Sequence, residues 1–180
     1  MNKSLKFLMM LMAFCCLSLV SCDKDDHSDE PAGPGNSATE SGYGEIKPTG
    51  LKMANLYLSA KDGPEQLKIP GFPPLHMTEY SGYRLGSNEG GLLDCKTKYD
   101  SMESFQWTET TYGFESGVRL YNSNDRDGKS IIYRVKISKA DEYPERFAYA
   151  RIRFIDFLYS NSGRVIGCAL EYESPYTPLK

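Results

Sequence analysis

Few side chains in this sequence have the types and spacing that catalysis or metal binding requires. Of the two histidines, only His76 lies within the apolar and aromatic part of the chain, so the sequence indicates neither a histidine-based metal cluster nor a Ser–His–Asp triad. His76 follows two prolines and a leucine, a setting that favours a structural role. No nucleophile elbow, phosphate loop, dinucleotide fingerprint or C-x-x-C pair is present. We therefore expect a protein without enzymatic activity and without a cofactor.

One run of oxygen-bearing residues before Gly128 suits a metal ion. The four candidate ligands are Asn122, Asn124, Asp125 and Asp127. Oxygen ligands in a tight loop are what calcium binds, but the EF-hand spacing fails, because counting from Ser123 places Arg134 where the closing glutamate should stand. Asn, Asp and Gly are also the usual residues of hairpin turns. The segment is therefore interpreted as a plain loop, with calcium binding as the alternative.

Aromatic residues are abundant: the chain has 13 tyrosines, eight phenylalanines and one tryptophan. Exposed rings can stack on the C–H faces of sugars and place polar tips at wet interfaces. The candidates near predicted loops or strand ends are Tyr80, Tyr83, Trp107, Tyr112 and Tyr121. Sheet cores also take up aromatic side chains, so the alternative is that these rings are buried. The ligand-stacking interpretation predicts a glycan or an envelope protein as partner.

The first 21 residues have the three-part layout of a secretory signal. Lys3 and Lys6 precede an apolar run from Phe7 to Val20, and the small Ser21 stands before Cys22. As a helix, that run would cover only about 21 Å, less than the hydrocarbon core of roughly 30 Å. The sequence Leu-Val-Ser-Cys at positions 19–22 resembles the lipobox of bacterial lipoproteins. This resemblance implies cleavage before Cys22 and acylation of Cys22 with chains such as palmitate, which makes membrane lipid a partner.

Residues 22–50 are predicted to form a disordered tether. An acidic cluster follows Cys22, and a stretch rich in Gly, Pro and Ser continues to about Gly50; such a composition buries too little apolar surface to fold. The acidic cluster also resembles the export signal of Gram-negative lipoproteins that are displayed on the outer face of the outer membrane. In other lineages an aspartate after the cysteine marks retention at the inner membrane, so that location and a periplasm-facing one are the alternatives.

Charge excludes one class of partner. The chain has 21 basic and 24 acidic residues, and removing the first 42 residues leaves 18 of each. A formally neutral domain has no basic field to attract nucleic acid. We therefore expect no nucleic-acid partner.

The cysteines that remain after lipidation could pair. Cys15 and Cys16 lie in the signal segment and Cys22 carries lipid, which leaves Cys95 and Cys168. In an oxidising envelope they could form one disulfide, or both could be buried thiols that act as small apolar residues. A Cα separation above about 7 Å would exclude the disulfide.

Residues 51–180 have the length of one ordinary domain, and short aromatic and β-branched runs separated by turn residues predict strands. Strands are predicted at residues 51–59 and 76–85, with the proline-rich residues 69–74 as an edge or loop. Residues 104–112 are predicted to place Phe105 and Trp107 on one strand face. Residues 117–121 and 130–138 are predicted as two arms of a hairpin around the loop before Gly128. In the second arm Ile131, Tyr133, Val135 and Ile137 should face the core, while Arg134 and Lys136 should point to water.

The last hairpin has the clearest pattern. Ala148, Ala150, Ile152 and Phe154 alternate with Tyr149, Arg151, Arg153 and Ile155. Residues 161–163 supply a turn, and residues 165–172 return. Helical spacing from Pro144 to Tyr159 is a rival interpretation, but β-branched and aromatic residues favour strands.

The sequence therefore predicts residues 1–21 as a lipoprotein signal, 22–50 as a tether and 51–180 as a single all-β domain, an antiparallel β-sandwich or small barrel. The function that fits is a lipid-anchored, non-enzymatic binding or accessory module of the outer membrane. A structural or inhibitory envelope protein is the alternative. A hydrolase with two carboxylates is a third, because paired acids leave no spacing signature.

Overall fold

The folded domain is all-β and antiparallel, which confirms the predicted class. The computed structural model describes residues 40–120 and 129–180, and every regular element within these ranges is a strand. In the same ranges we find no helix with the length and apolar character needed to span a bilayer.

The described residues contain eleven strands, which form three sheets. A small hairpin contains β1 (Glu40–Ser41) and β2 (Gly44–Glu45). The large sheet has the order β3 (Lys52–Tyr57), β11 (Val165–Tyr176), β10 (Phe147–Tyr159), β9 (Lys129–Lys136) and β7 (Gly91–Lys98). The small sheet has the order β4 (Gln66–Leu67), β5 (Leu75–Glu79), β6 (Tyr83–Ser87) and β8 (Gly117–Arg119).

The main core lies between the large and small sheets, as in a sandwich. Alternate residues of each strand enter it, because side chains on a strand point to opposite faces. Ile131, Tyr133 and Val135 of β9 contribute from the large sheet, and Leu75 and Leu85 from the small one. The predicted inward face of β9 is therefore confirmed.

The other face of β9 is not wet, and here the prediction was wrong. Ile132 is fully buried in a second core that also contains Phe105, Trp107 and Tyr149. Residues 99–116 cross the outer face of the large sheet and cover it. They do so without forming the predicted strand at residues 104–112, where the regular pairing is an isolated bridge between Thr108 and Leu179.

The predicted hairpin between residues 117 and 138 was also wrong. β8 pairs with β6 in the small sheet, whereas β9 pairs with β10 and β7 in the large sheet. The chain therefore changes sheets between these two strands, and the loop before Gly128 lies outside the described residues. Local alternation predicts that each segment is a strand but not which sheet it joins.

The last hairpin is confirmed, and the helical alternative from Pro144 to Tyr159 is excluded. β10 and β11 pair antiparallel over nearly their whole length. Gly163 turns the chain with a φ of 78°, in the left-handed region that glycine enters most easily. Strands at residues 52–57, 75–79 and 83–87 also match the predicted segments, and residues 69–74 form the expected loop.

The folded region begins earlier than the predicted boundary at residue 51. Ile46 is 8% exposed and belongs to the main core. The Ser41 hydroxyl donates to the Gly71 carbonyl, and the Thr49 amide donates to the Ser174 carbonyl at 2.7 Å. Residues 40–50 therefore belong to the domain, although their composition resembles that of a tether.

Candidate functional site

A groove of about 500 Å³ opens at one end of the sandwich, between the large and small sheets. We call it the end groove; its walls come from residues 58, 59 and 62 after β3, residues 77–79 of β5, and residues 164–166 at the start of β11. Its size falls within the usual range for small-ligand sites, and it lies where three loops meet. Leu58, Met77 and Val165 pack against the main core and supply apolar contacts.

The position of Glu79 follows from strand alternation. Leu75, Met77 and Glu79 are successive inward positions of β5; the first two are buried in the main core and Glu79 is exposed at the strand end. The carboxylate therefore lies at the rim of the end groove, where the two sheets no longer cover each other.

Two side chains orient the Glu79 carboxylate. Arg164 Nη2 donates to Oε2 at 3.3 Å, and the Tyr83 hydroxyl donates to Oε1 at 3.3 Å. The side chains of Arg164 and Glu79 are 71% and 48% exposed, so both keep access to solvent. Burial, together with the Glu79 carboxylate, raises the pKa of the Tyr83 hydroxyl, which therefore stays a protonated donor at neutral pH.

One exposed tyrosine lies beside this ion pair. Tyr159 is 56% exposed at the end of β10, and it lies close enough to Tyr83 to contribute to its raised pKa. The Tyr83 ring itself packs against Phe157, with ring centroids 5.2 Å apart. The groove mouth therefore combines a carboxylate, a guanidinium and an exposed tyrosine ring.

The end groove lies at the opposite end of the domain from the first described residues. Thr49 bonds to Ser174 near the end of β11, whereas the groove contacts residues 164–166 at its start. The eight residue-to-residue steps from Ile166 to Ser174 span about 27 Å as a strand. Residues 40–50 therefore leave the groove open.

The five predicted stacking residues do not form one platform. Tyr83 bonds to Glu79 at the end groove, and Tyr80 is 81% exposed in the turn between β5 and β6. Trp107 is 9% exposed in the second core, on the other face of the large sheet. Tyr112 is 86% exposed in the segment that covers that face, and Tyr121 lies outside the described residues. Trp107 is buried because it packs edge-on to Phe114 and against Tyr149, contacts that no local spacing predicts.

Sequence reasoning missed three residues of the end groove. Glu79, Tyr159 and Arg164 each lie at a strand end or in a turn. That position is the one feature of the sequence that could have marked them as candidates. Nothing in their spacing indicated that they would meet.

The proposed calcium ligands, Asn122, Asn124, Asp125 and Asp127, all lie outside the described residues. In residues 40–120 and 129–180, we find no group of three or more His, Cys, Asp or Glu side chains suited to a metal ion. His76 is half-buried on β5 opposite Gly86, where a Cβ would lie 3.1 Å from its Nε2. His76 therefore packs closely against the neighbouring strand, which is a structural role.

Cys95 and Cys168 are free thiols, which corresponds to the second of the two alternatives, buried thiols, and not to a disulfide. They lie on β7 and β11, which are separated by β9 and β10 in the large sheet. Three strand spacings place them roughly 14 Å apart, twice the limit for a disulfide. They also face different cores, the second for Cys95 and the main one for Cys168. Burial raises the pKa of each thiol to about 12, so neither is a nucleophile at neutral pH.

The end groove is suited to a polar ligand that also has apolar faces. Glu79 supplies acceptors, Arg164 supplies donors, and the neighbouring Tyr159 supplies a flat surface. No protein-family model matches this chain, and neither a curated protein nor a solved structure resembles it significantly.

Proposed function

We propose that this protein is a lipid-anchored, non-enzymatic binding module of the bacterial cell envelope, displayed at the outer membrane. The lipobox-like residues 19–22 supply the anchor. The observation that carries the binding role is the position of the end groove, about one strand length from the point where the chain enters the domain. A ligand site at that end stays accessible when the other end is tied to a membrane.

The space between anchor and domain fits this role. The first described strand begins at Glu40, so 17 residues separate it from Cys22. A flexible chain of that length spans roughly 23 Å. Their composition, rich in acidic residues, Gly, Pro and Ser, favours such a spacer.

Metabolic labelling with an alkyne analogue of palmitate in a Gram-negative host tests the anchor. We expect the wild-type protein to carry the label and Cys22→Ala to lose it and leave the membrane fraction. Cys95→Ala is the matched control, since it removes a thiol of the domain and should leave labelling unchanged. Labelled Cys22→Ala would refute the anchor.

Protease treatment of intact cells tests the display. We expect the domain to be degraded without permeabilisation. Degradation only after permeabilisation would place the domain on the periplasmic side and refute surface display.

A structural or inhibitory role for the same anchored protein is the second candidate. β3 forms one edge of the large sheet, and Met53 on this strand is 64% exposed. Sheet edges with apolar side chains can pair with a strand of another protein. A two-carboxylate hydrolase has less support, because Glu79 is bonded to Tyr83 and Arg164 and is thereby arranged as an acceptor. A general acid of such an enzyme must instead donate a proton.

A further inference from the structure

We infer that the end groove binds an uncharged oligosaccharide, with Glu79 and Arg164 bonding to its hydroxyl groups and Tyr159 contacting a sugar face. This inference deepens the proposed function, since it names the ligand class of the module. It assigns the site to residues at three strand ends, without Trp107.

The charges of the end groove favour an uncharged ligand. Glu79 and Arg164 neutralise each other, and Asp62 adds one exposed negative charge on the opposite wall. The lining therefore has one net negative charge, which disfavours a phosphate, sulfate or carboxylate group. One unpaired acid is too little charge to bind a strongly cationic ligand, which Arg164 would also repel.

The hydrogen-bonding groups match a pair of adjacent hydroxyls. Each sugar hydroxyl can donate and accept, while a carboxylate only accepts and a guanidinium only donates. Side by side, Glu79 and Arg164 can therefore accept from one hydroxyl and donate to the next. Because exposed ion pairs contribute only about 0–1 kcal/mol, a ligand can share these two groups at little cost.

The apolar parts of the groove match the other chemistry of sugars. Tyr159 is one of the large, strongly exposed side chains of the described residues, and it lies near Tyr83 beside the ion pair. Tyrosine offers a rigid apolar face with a polar tip, which suits the C–H face of a pyranose. Because Glu79, Arg164 and Tyr159 are all exposed to solvent, the site suits a chain of sugars better than an enclosed acyl chain.

The test uses residues 23–180, which contain the complete packed domain and lack only the signal and the lipidated cysteine. This protein is applied to an array of neutral gluco-, galacto-, manno- and xylo-oligosaccharides of three to six sugars, with sulfated and uronic-acid oligosaccharides for comparison. The strongest neutral ligand is then titrated by calorimetry. We expect binding to neutral oligosaccharides and little binding to the anionic ones.

Variants then place the ligand. We expect Glu79→Gln and Arg164→Met to weaken binding about tenfold or more, since each removes a charge-assisted hydrogen bond. Tyr159→Ala should weaken it several-fold. The matched controls are Glu142→Gln and Arg146→Met, which alter an exposed ion pair of 2.6 Å between β9 and β10, and Tyr143→Ala, which removes a ring that is 93% exposed. The controls should bind within twofold of wild type.

Any of three results would overturn the inference. The array could show no binding, it could show binding only to anionic oligosaccharides, or binding to a neutral oligosaccharide could survive both Glu79→Gln and Tyr159→Ala. None of these results affects acylation at Cys22, which the labelling experiment measures separately. The inference about the ligand and the proposal of a lipid anchor can therefore be refuted independently of each other.

Discussion

Tyr133 of the large sheet and Ser87 of the small sheet share a buried hydrogen bond of 2.9 Å between their hydroxyl oxygens. The Tyr133 hydroxyl also donates to the Pro73 carbonyl at 2.7 Å, so Ser87 is the donor to Tyr133. The Gly90 amide in turn donates to Ser87 Oγ at 3.0 Å. This chain of bonds ties the two sheets together through the main core.

Tyr133→Phe should lower the free energy of unfolding by about 1–3 kcal/mol, because the Ser87 hydroxyl and the Pro73 carbonyl lose their buried partner. Urea unfolding followed by fluorescence measures the change. Tyr143→Phe, at an exposed ring, is the control and should have almost no effect. Equal stability of the two variants would contradict the role of the network.

Gly167→Ala should destabilise the domain by about 1–3 kcal/mol or more, because an added Cβ would lie 2.4 Å from the Leu56 carbonyl oxygen. Both atoms belong to paired strands of the large sheet, so neither can move without disturbing the pairing. Thermal unfolding measures the loss. Gly42→Ala is the control, since a Cβ there meets nothing within 4 Å. A Tm of Gly167→Ala equal to that of the control would show that the strands separate more easily than this contact indicates.

Ile46→Ala should cost about 2–4 kcal/mol, as expected for a large apolar side chain removed from a core. This variant tests whether residues 40–50 belong to the domain. Lys47→Ala removes an exposed neighbour and should change the free energy of unfolding by less than about 0.5 kcal/mol. If Ile46→Ala behaved like Lys47→Ala, the folded region would begin after residue 50 as the composition predicts.

Stability should fall as the pH rises from about 9 to 12. Burial raises the pKa of Cys168 from 9.0 to about 12 and also raises the pKa of Tyr133, so the fold favours the protonated forms. A raised pKa of an acid stabilises the folded state fully below the unfolded pKa, and this stabilisation is lost as pH passes through the folded pKa. Denaturant titrations at several pH values measure the slope, which should be shallower in Cys168→Ala. Stability that is constant up to pH 12 would contradict the burial of these groups.

The sequence predicted the fold class because the decisive signals are local. Ala148 to Phe154 alternate with period two and precede a Ser-Gly turn, so the β10–β11 hairpin could be identified from neighbouring residues alone. The boundary at Glu40 could not, because Ile46 becomes part of the core only through contact with the loop at Gly71. The pairing of β8 with β6 could not be predicted either, because it depends on which sheet has a free edge where β8 can pair.

Most of the candidate site could not be predicted from the sequence, because it also depends on contacts between distant segments. Asp62, Glu79 and Arg164 are far apart along the chain and meet only because three strands end at one side of the sandwich. Tyr80 and Tyr83 were predicted because they lie near a predicted loop or strand end. Trp107 was predicted on the same ground, but residues 99–116 fold back onto the large sheet and bury it.

The opposite placement of the end groove and the N-terminal segment also determines how the domain responds to tension. β3 follows the N-terminal segment and lies antiparallel to β11, whose first residues line the groove. A pull between the end groove and residues 40–50 would act along these strands and load their hydrogen bonds together, in shear. Bonds loaded together resist force better than bonds opened one at a time, so the sandwich should resist a force applied between these two ends better than a force that peels off a single strand.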